Sequence, residues 1–252
     1  MKIKLIRNAT LRMTYAGHTF IIDPYLAPKH SLPAYAGRSR NPLVDLPATA
    51  EAVLDGLEMV IVSHLHTDHF DPLAQELLLK ATTIFCQPGD ETQIRDKGFL
   101  EVIPVARQVA WHEINISRTP GRHGSSEAVL SAMGQVSGFI FEAANEPILY
   151  WAGDTVWYDA IRETISQWQP DVIITHSGGA VWGDNELIVM DAAQTVAVCK
   201  YSPQSTIVAT HLEALDHCPV SRNDLRKYAR SAGIQAEQLR IPADGTELEL
   251  GK

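Results

Sequence analysis

The sequence predicts an α/β chain in which two sheets carry helices on their outer faces. Short strands open the chain, strand–helix alternation follows, and then a second set of strands leads into a second alternation. The runs at 59–62 (MVIV) and 171–175 (DVIIT) are dominated by apolar residues, as in strands buried on both faces. No linker, low-complexity segment or internal repeat divides the 252 residues, so one domain over 1–252 is expected.

The elements follow in order. Ile3 and Leu5, then Leu11, Met13 and Tyr15, then Phe20, Ile21 and Ile22 form a meander of three strands broken at Ala16-Gly17 and closed by Asp23-Pro24. Residues 24–47 carry Pro, Gly and Ser with little periodicity, and a loop of that length is usually functional or disordered. A short helix is expected over 49–57 and a buried strand over 59–62. A helix over 72–80 (PLAQELLLK) is then expected, with Asp71 as N-cap and Pro72 in the first turn. A strand at 82–86 and a helix at 90–97 come next. Residues 100–152 read as several strands without a helix. Helices at 156–168, 190–201 and 221–233 alternate with strands at 171–175 and 205–210, the last helix stopped by Gly233.

Composition narrows the function. Lys plus Arg number 21 against 30 Asp plus Glu, a net charge of −9. That balance argues against general nucleic-acid binding and against docking on anionic membranes. No apolar run is long enough to span a bilayer. The start, MKIKLI, alternates charge with apolar residues rather than forming a leader, so a cytoplasmic location is expected. Three cysteines at wide spacing make no disulfide framework.

Ten histidines are the unusual feature, and three fall close together in the chain stretch that carries the chemistry. Ser63-His64-Leu65-His66-Thr67-Asp68-His69 follows the buried strand and precedes the capped helix. In an extended chain His64 and His66 point the same way, whereas on a helix they would diverge by about 200°. Asp68 and His69 lie past a bend and can serve a second position. Imidazoles and carboxylates suit zinc, manganese or iron rather than calcium. Three more candidates each follow a strand-like segment: His123 in TPGRHG, Asp154 in AGDT, and His211 after TIVAT.

HLHTDH, a lone His, GDT and a late strand-end His together resemble the metallo-β-lactamase superfamily of metal-dependent hydrolases. Asp23 in IIDP matches that superfamily's first motif. The IDPYL segment and GDT look most like its ascorbate-6-phosphate-lactonase-like branch. The resemblance implies a four-layer αββα sandwich with a metal site at one edge. It implies that His64, His66 and His123 hold one ion, that Asp68, His69 and His211 hold another, and that Asp154 bridges them. Zinc is the first expectation, with manganese or iron as alternatives. A hydroxide shared by the two ions would attack a carbonyl or phosphoryl centre. Asp68 and Asp154 are then catalytic as well as ligands, and Asp23 is expected to accept from a ligand imidazole. Many members of the branch carry a His where this chain has Asn8.

His176, in HSGG after the strand at 171–175, is a candidate to touch substrate or the attacking water. Trp157, Trp182, Tyr25 and Arg122 are further candidates for substrate contact. His217 and Cys218 are left aside, and His18, His30 and His112 have no partner in the sequence. The leading expectation is hydrolysis of a small-molecule ester, lactone or phosphodiester, with no nucleic acid or membrane partner. Homo-oligomerisation stays open. The competing readings are a nuclease on the same centre, a mononuclear iron oxygenase, and a metal-stabilised module without catalysis.

Overall fold

A computed structural model describes residues 1–183 and 185–251. The opening meander is present as β1 (Lys2–Arg7), β2 (Thr10–Tyr15) and β3 (His18–Ile22), paired antiparallel in order. The break between β2 and β3 falls at Ala16 and Gly17, both at positive φ. After the long segment that follows come α1 (Ala50–Leu54), β4 (Met59–Val62), α2 (Pro72–Leu77), β5 (Thr83–Cys86), α3 (Glu91–Arg95) and β6 (Val102–Pro104). Strands β3 to β6 run parallel, and β16 (Glu247–Glu249) closes the other edge, giving one seven-stranded sheet.

The second sheet begins as an antiparallel set, β7 (Gln108–Trp111), β8 (Ile114–Pro120) and β9 (Ser137–Glu142). It continues through β10 (Leu149–Trp151), β11 (Val172–His176), β14 (Thr206–Thr210) and β15 (Leu239–Arg240), which run parallel. Helices α5 (Asp159–Trp168), α6 (Ala192–Tyr201) and α7 (Arg222–Ser231) connect or follow these strands. A small hairpin of β12 (Val181–Trp182) and β13 (Glu186–Leu187) stands apart.

Side-chain alternation explains the layering. In β4, Met59 and Ile61 join Phe139, Phe141 and Trp151 in the core between the sheets. Val60 and Val62 instead pack against Val53, Ala74 and Ile94 of the three helices on that side. In β11, Val172 and Ile174 face the inter-sheet core, while Ile173 packs with Ile161, Val196 and Leu225 of α5, α6 and α7. The order is helices, sheet, sheet, helices, which is the expected αββα sandwich. No described helix is long and apolar enough to cross a membrane.

Three element expectations need correction. The stretch 100–152 contains a helix, α4 (Glu127–Met133), capped by the Ser126 hydroxyl and ended by Gly134 at φ 75°. The helix expected from 156 starts at Asp159, because Val156 N–H donates to Arg122 O and Trp157 N–H to the Gln194 side chain. Helix α2 stops at Leu77, as Leu78 turns extended and the Leu100 N–H recruits the Lys80 carbonyl beside β5.

Candidate metal centre

The sheets deliver their chemistry to one rim. Parallel β3 and β4 end at Asp23 and Ser63, and β10, β11 and β14 end near Asp154, His176 and His211. Strand β8 runs in the same sense as β10, since each pairs antiparallel with β9, so it brings His123 to the same rim. Beyond β4, the N–H groups of His69 and Phe70 donate to His66 O (3.0 and 3.1 Å) and fold 66–70 into a turn. That turn brings the His69 ring to 4.1 Å from that of His64, centroid to centroid, and into a second group of ligand atoms.

Two groups of ligand atoms result. His64, His66 and His123 form one; His69, Asp154, His176 and His211 form the other; within each, the atoms lie within 4.8 Å of one another. The Asp154 carboxylate stands between them. Its Oδ2 is 3.2 Å from His69 Nε2, 3.4 Å from His123 Nε2 and 3.9 Å from His64 Nε2. Its Oδ1 is 3.7 Å from His211 Nε2. Asp68 Oδ2 lies 3.2 Å from His211 Nε2 and 3.4 Å from His69 Nε2. Donors around one tetrahedral zinc stand roughly 3.3 Å apart, given bonds of about 2.0 Å, so these separations suit edges of a coordination shell.

The outer hydrogen bonds set the imidazole tautomers. His69 Nδ1–H donates to Asp23 Oδ2 (2.7 Å), and His123 Nδ1–H donates to Ile188 O (2.7 Å). The Ser63 hydroxyl donates to Asp23 Oδ2 (2.7 Å) and so accepts from His64 Nδ1–H (2.9 Å). With the proton on Nδ1, each Nε2 turns a lone pair inward. His64 Nε2 and His69 Nε2 are buried without a hydrogen-bond partner. Buried nitrogen lone pairs are costly unless matched, and a cation is the match this donor set lacks. The residues therefore fit a divalent metal site.

Electrostatics agree. Burial holds the His64 imidazole well below its usual pKa and His123 at about 4, both neutral as ligands must be. Burial opposes charge on His69 and His211 too, but the carboxylates of Asp154 and Asp68 overcome it and raise both. Burial likewise opposes charge on Asp68 and Asp154, and the surrounding imidazoles keep both ionised. The same carboxylates that favour positive charge on His69 and His211 favour a cation at that position.

Backbone strain gathers at the same rim. Asn8, Asp23 and His211 all sit at left-handed φ (57°, 49° and 59°). Asn8 O accepts the His211 N–H (2.9 Å), and Asn8 Nδ2 reaches Asp68 O (3.2 Å). Asn8 thus holds the strand-end His211 and the Asp68 backbone and carboxylate in position. Gly178 lies against His211 O so closely that a Cβ would come within 2.1 Å of it.

The remaining candidates divide. His176 is buried behind Asp154, its Nδ1 2.5 Å from Asp154 Oδ1, and it does not line the cleft. Trp182 does line the cleft, whereas Trp157 packs against Arg162 and Tyr201, and Tyr25 lies buried beneath Arg7. The Arg122 guanidinium donates to Ser125 O and lies over Tyr158. His18 stacks on His112, and His30 is exposed. Sequence reasoning missed Tyr35 and His217, which line the cleft, and Cys218, whose Sγ is 3.6 Å from His211 Nδ1. The cleft over the histidines measures about 320 Å³. A larger groove of about 520 Å³, between α7 and residues 234–242, is remote from them.

Residues 18–212 match the family model of the β-lactamase superfamily domain. The chain belongs to that superfamily. Among curated superfamily relatives, the UPF0173 protein YddR of Bacillus subtilis is 37% identical over 250 residues, covering 97% of this chain and 98% of YddR, which places the chain in the UPF0173 family. A crystal structure named as a possible metal-dependent hydrolase from Veillonella parvula superimposes with a TM-score of 0.95 at 32% identity, covering 99% of each chain. Isothiocyanate hydrolase from Delia radicum gut bacteria superimposes at 0.93 with 34% identity, covering 100% of this chain and 99% of its own. The superfamily expectation made from HLHTDH and GDT is borne out.

Proposed function

We propose that this metal-dependent hydrolase of the metallo-β-lactamase fold works through two divalent ions on a small-molecule substrate. His64, His66 and His123 would hold one ion, Asp68, His69 and His211 the other, and Asp154 would reach both. The observation that carries the reading is the buried Asp154 carboxylate between two sets of imidazole Nε2 atoms, two of which lack any partner. When bound, the ions would supply Lewis acidity and a water acidic enough to attack at neutral pH.

The chain's own residues set the rest. Asp154 fixes the spacing of the two groups, and His176 holds its Oδ1 from behind. Asp68 presents an acidic oxygen at the floor of the cleft, where it can accept a proton from the attacking water. The volume of the cleft suits a small molecule. Zinc leads among the metals, with manganese or iron as alternatives, because N and O donors accept all three. Esters, lactones and phosphodiesters are candidate substrates. The 34% identical isothiocyanate hydrolase adds the central carbon of an N=C=S group.

The test is elemental analysis of native protein with a panel of these substrates. Two metals per chain are expected, with turnover lost in chelator and restored by zinc or manganese. Activity unchanged by chelation would end the reading.

A further inference from the structure

The walls of the cleft carry a signature separate from its metal-binding floor. None of its described lining residues is Lys or Arg. Arg122 is adjacent to His123 in the chain, but its guanidinium is engaged with Ser125 O and the Tyr158 ring. Leu65, Met133, Trp182 and Ile188 form the apolar part of the wall. Beyond the metal-binding floor, the described walls offer an anionic substrate no side-chain cation.

The polar part of the wall is Tyr35 and His217, whose rings meet edge-on at 5.1 Å. Tyr35 Oη lies near Thr67, yet it is buried without a partner of hydrogen-bonding geometry. His217 Nδ1 is also buried without a partner, in a side chain 8% exposed. The fold spends effort to hold the pair there. Asp216 accepts the backbone N–H groups of Tyr35 (2.9 Å), Ala36 (3.0 Å) and Arg38 (3.1 Å) and the Asn41 amide (2.9 Å). Its own N–H donates to Asn41 Oδ1 (2.9 Å). One carboxylate thus fastens the 35–41 segment beside His217, the next residue. Two unmatched polar atoms on a latched wall are costly by themselves and are satisfied by a bound molecule.

We propose that Tyr35 and His217 contact the substrate directly, and that the substrate is an uncharged molecule with a compact apolar body and an electrophilic carbon flanked by heteroatoms. The Tyr35 hydroxyl donates to a heteroatom that gains negative charge as water attacks, and His217 Nδ1 makes a second polar contact. The apolar body lies on Leu65, Met133, Trp182 and Ile188. This inference rests on the two-ion reading above.

The test uses the zinc-loaded full chain with benzyl isothiocyanate as the neutral probe and bis(p-nitrophenyl) phosphate as the anionic one. In the neutral reaction, water's oxygen bonds to carbon, the C–N bond breaks, and both water protons end on nitrogen, giving benzylamine and carbonyl sulfide. The neutral probe should be preferred by at least about tenfold in kcat/KM, and Tyr35→Phe and His217→Phe should each lower that value about tenfold. Metal content and melting temperature should match wild type. Wild-type kinetics in both variants, or preference for the anionic probe, overturns the inference. Wild-type turnover that chelator leaves unchanged would instead bring down the two-ion reading and this inference with it.

Discussion

Asp23 Oδ2 lies 2.7 Å from His69 Nδ1, and both side chains are fully buried. The same carboxylate accepts the Ser63 N–H and hydroxyl, and that hydroxyl meets His64 Nδ1. One aspartate therefore orients an imidazole in each ligand group. Asp23→Ala should weaken metal binding about 10–100-fold, the usual cost of losing such a partner. Chelator competition checks it, and affinity equal to wild type would refute it.

Metal removal should also destabilise the fold, because the two groups join both sheets at one rim. A ligand at a hundred times its Kd stabilises by about 2.7 kcal/mol, and for a chain of this size each kcal/mol moves Tm by about 2–4 °C. Chelated protein should melt at least about 5 °C below the zinc-loaded form on that scale. His66→Ala, which removes the partly exposed member of its group, should lower the bound metal below wild-type stoichiometry while the fold survives. Unchanged metal content would contradict the placement of His66.

His18 gives a pH signature away from the centre. Its Nδ1 is 2.8 Å from Glu58 Oε2 and its Nε2 3.1 Å from Glu113 Oε2, so it ties the start of β3 to the residue before β4 and to the β7–β8 turn. Hydrogen bonds donated to both carboxylates raise its pKa. A raised folded pKa means the stabilisation is complete below the unfolded value of about 6.5 and fades as pH rises through the folded one. The Tm gap between wild type and His18→Gln should be wider near about pH 6 than near about pH 9. A gap independent of pH would show that the ion pairs contribute nothing.

Tyr15 joins the two sheets from within the core. Its single O–H is shared between Pro147 O (2.8 Å) and Phe141 O (3.0 Å), and the ring is fully buried. Tyr15→Phe keeps the packing and strands two buried acceptors, so unfolding in urea should show a loss of about 1–3 kcal/mol. A loss within experimental error would mean the carbonyls find other partners.

Legibility followed the range of the forces. The strand at 59–62 and the cap at Asp71-Pro72 were readable because periodicity and capping act over a few residues. Helix α4 was missed although Ser126 and Gly134 mark both its ends, since seven residues among strands give a weak periodic signal. HLHTDH with GDT identified the superfamily, whereas IDPYL with GDT does not by itself select a branch within it.

The sequence by itself determined the chemistry of the floor: imidazoles and carboxylates at strand ends, where period-2 alternation sets which side chains share a face. Tertiary structure alone decided the walls. Tyr35 and His217 are distant in the chain and meet only because Asp216 gathers four donors from residues 35–41. Hydrogen bonds that close so long a loop leave no local pattern, because the residues at either end are ordinary for the segments that hold them.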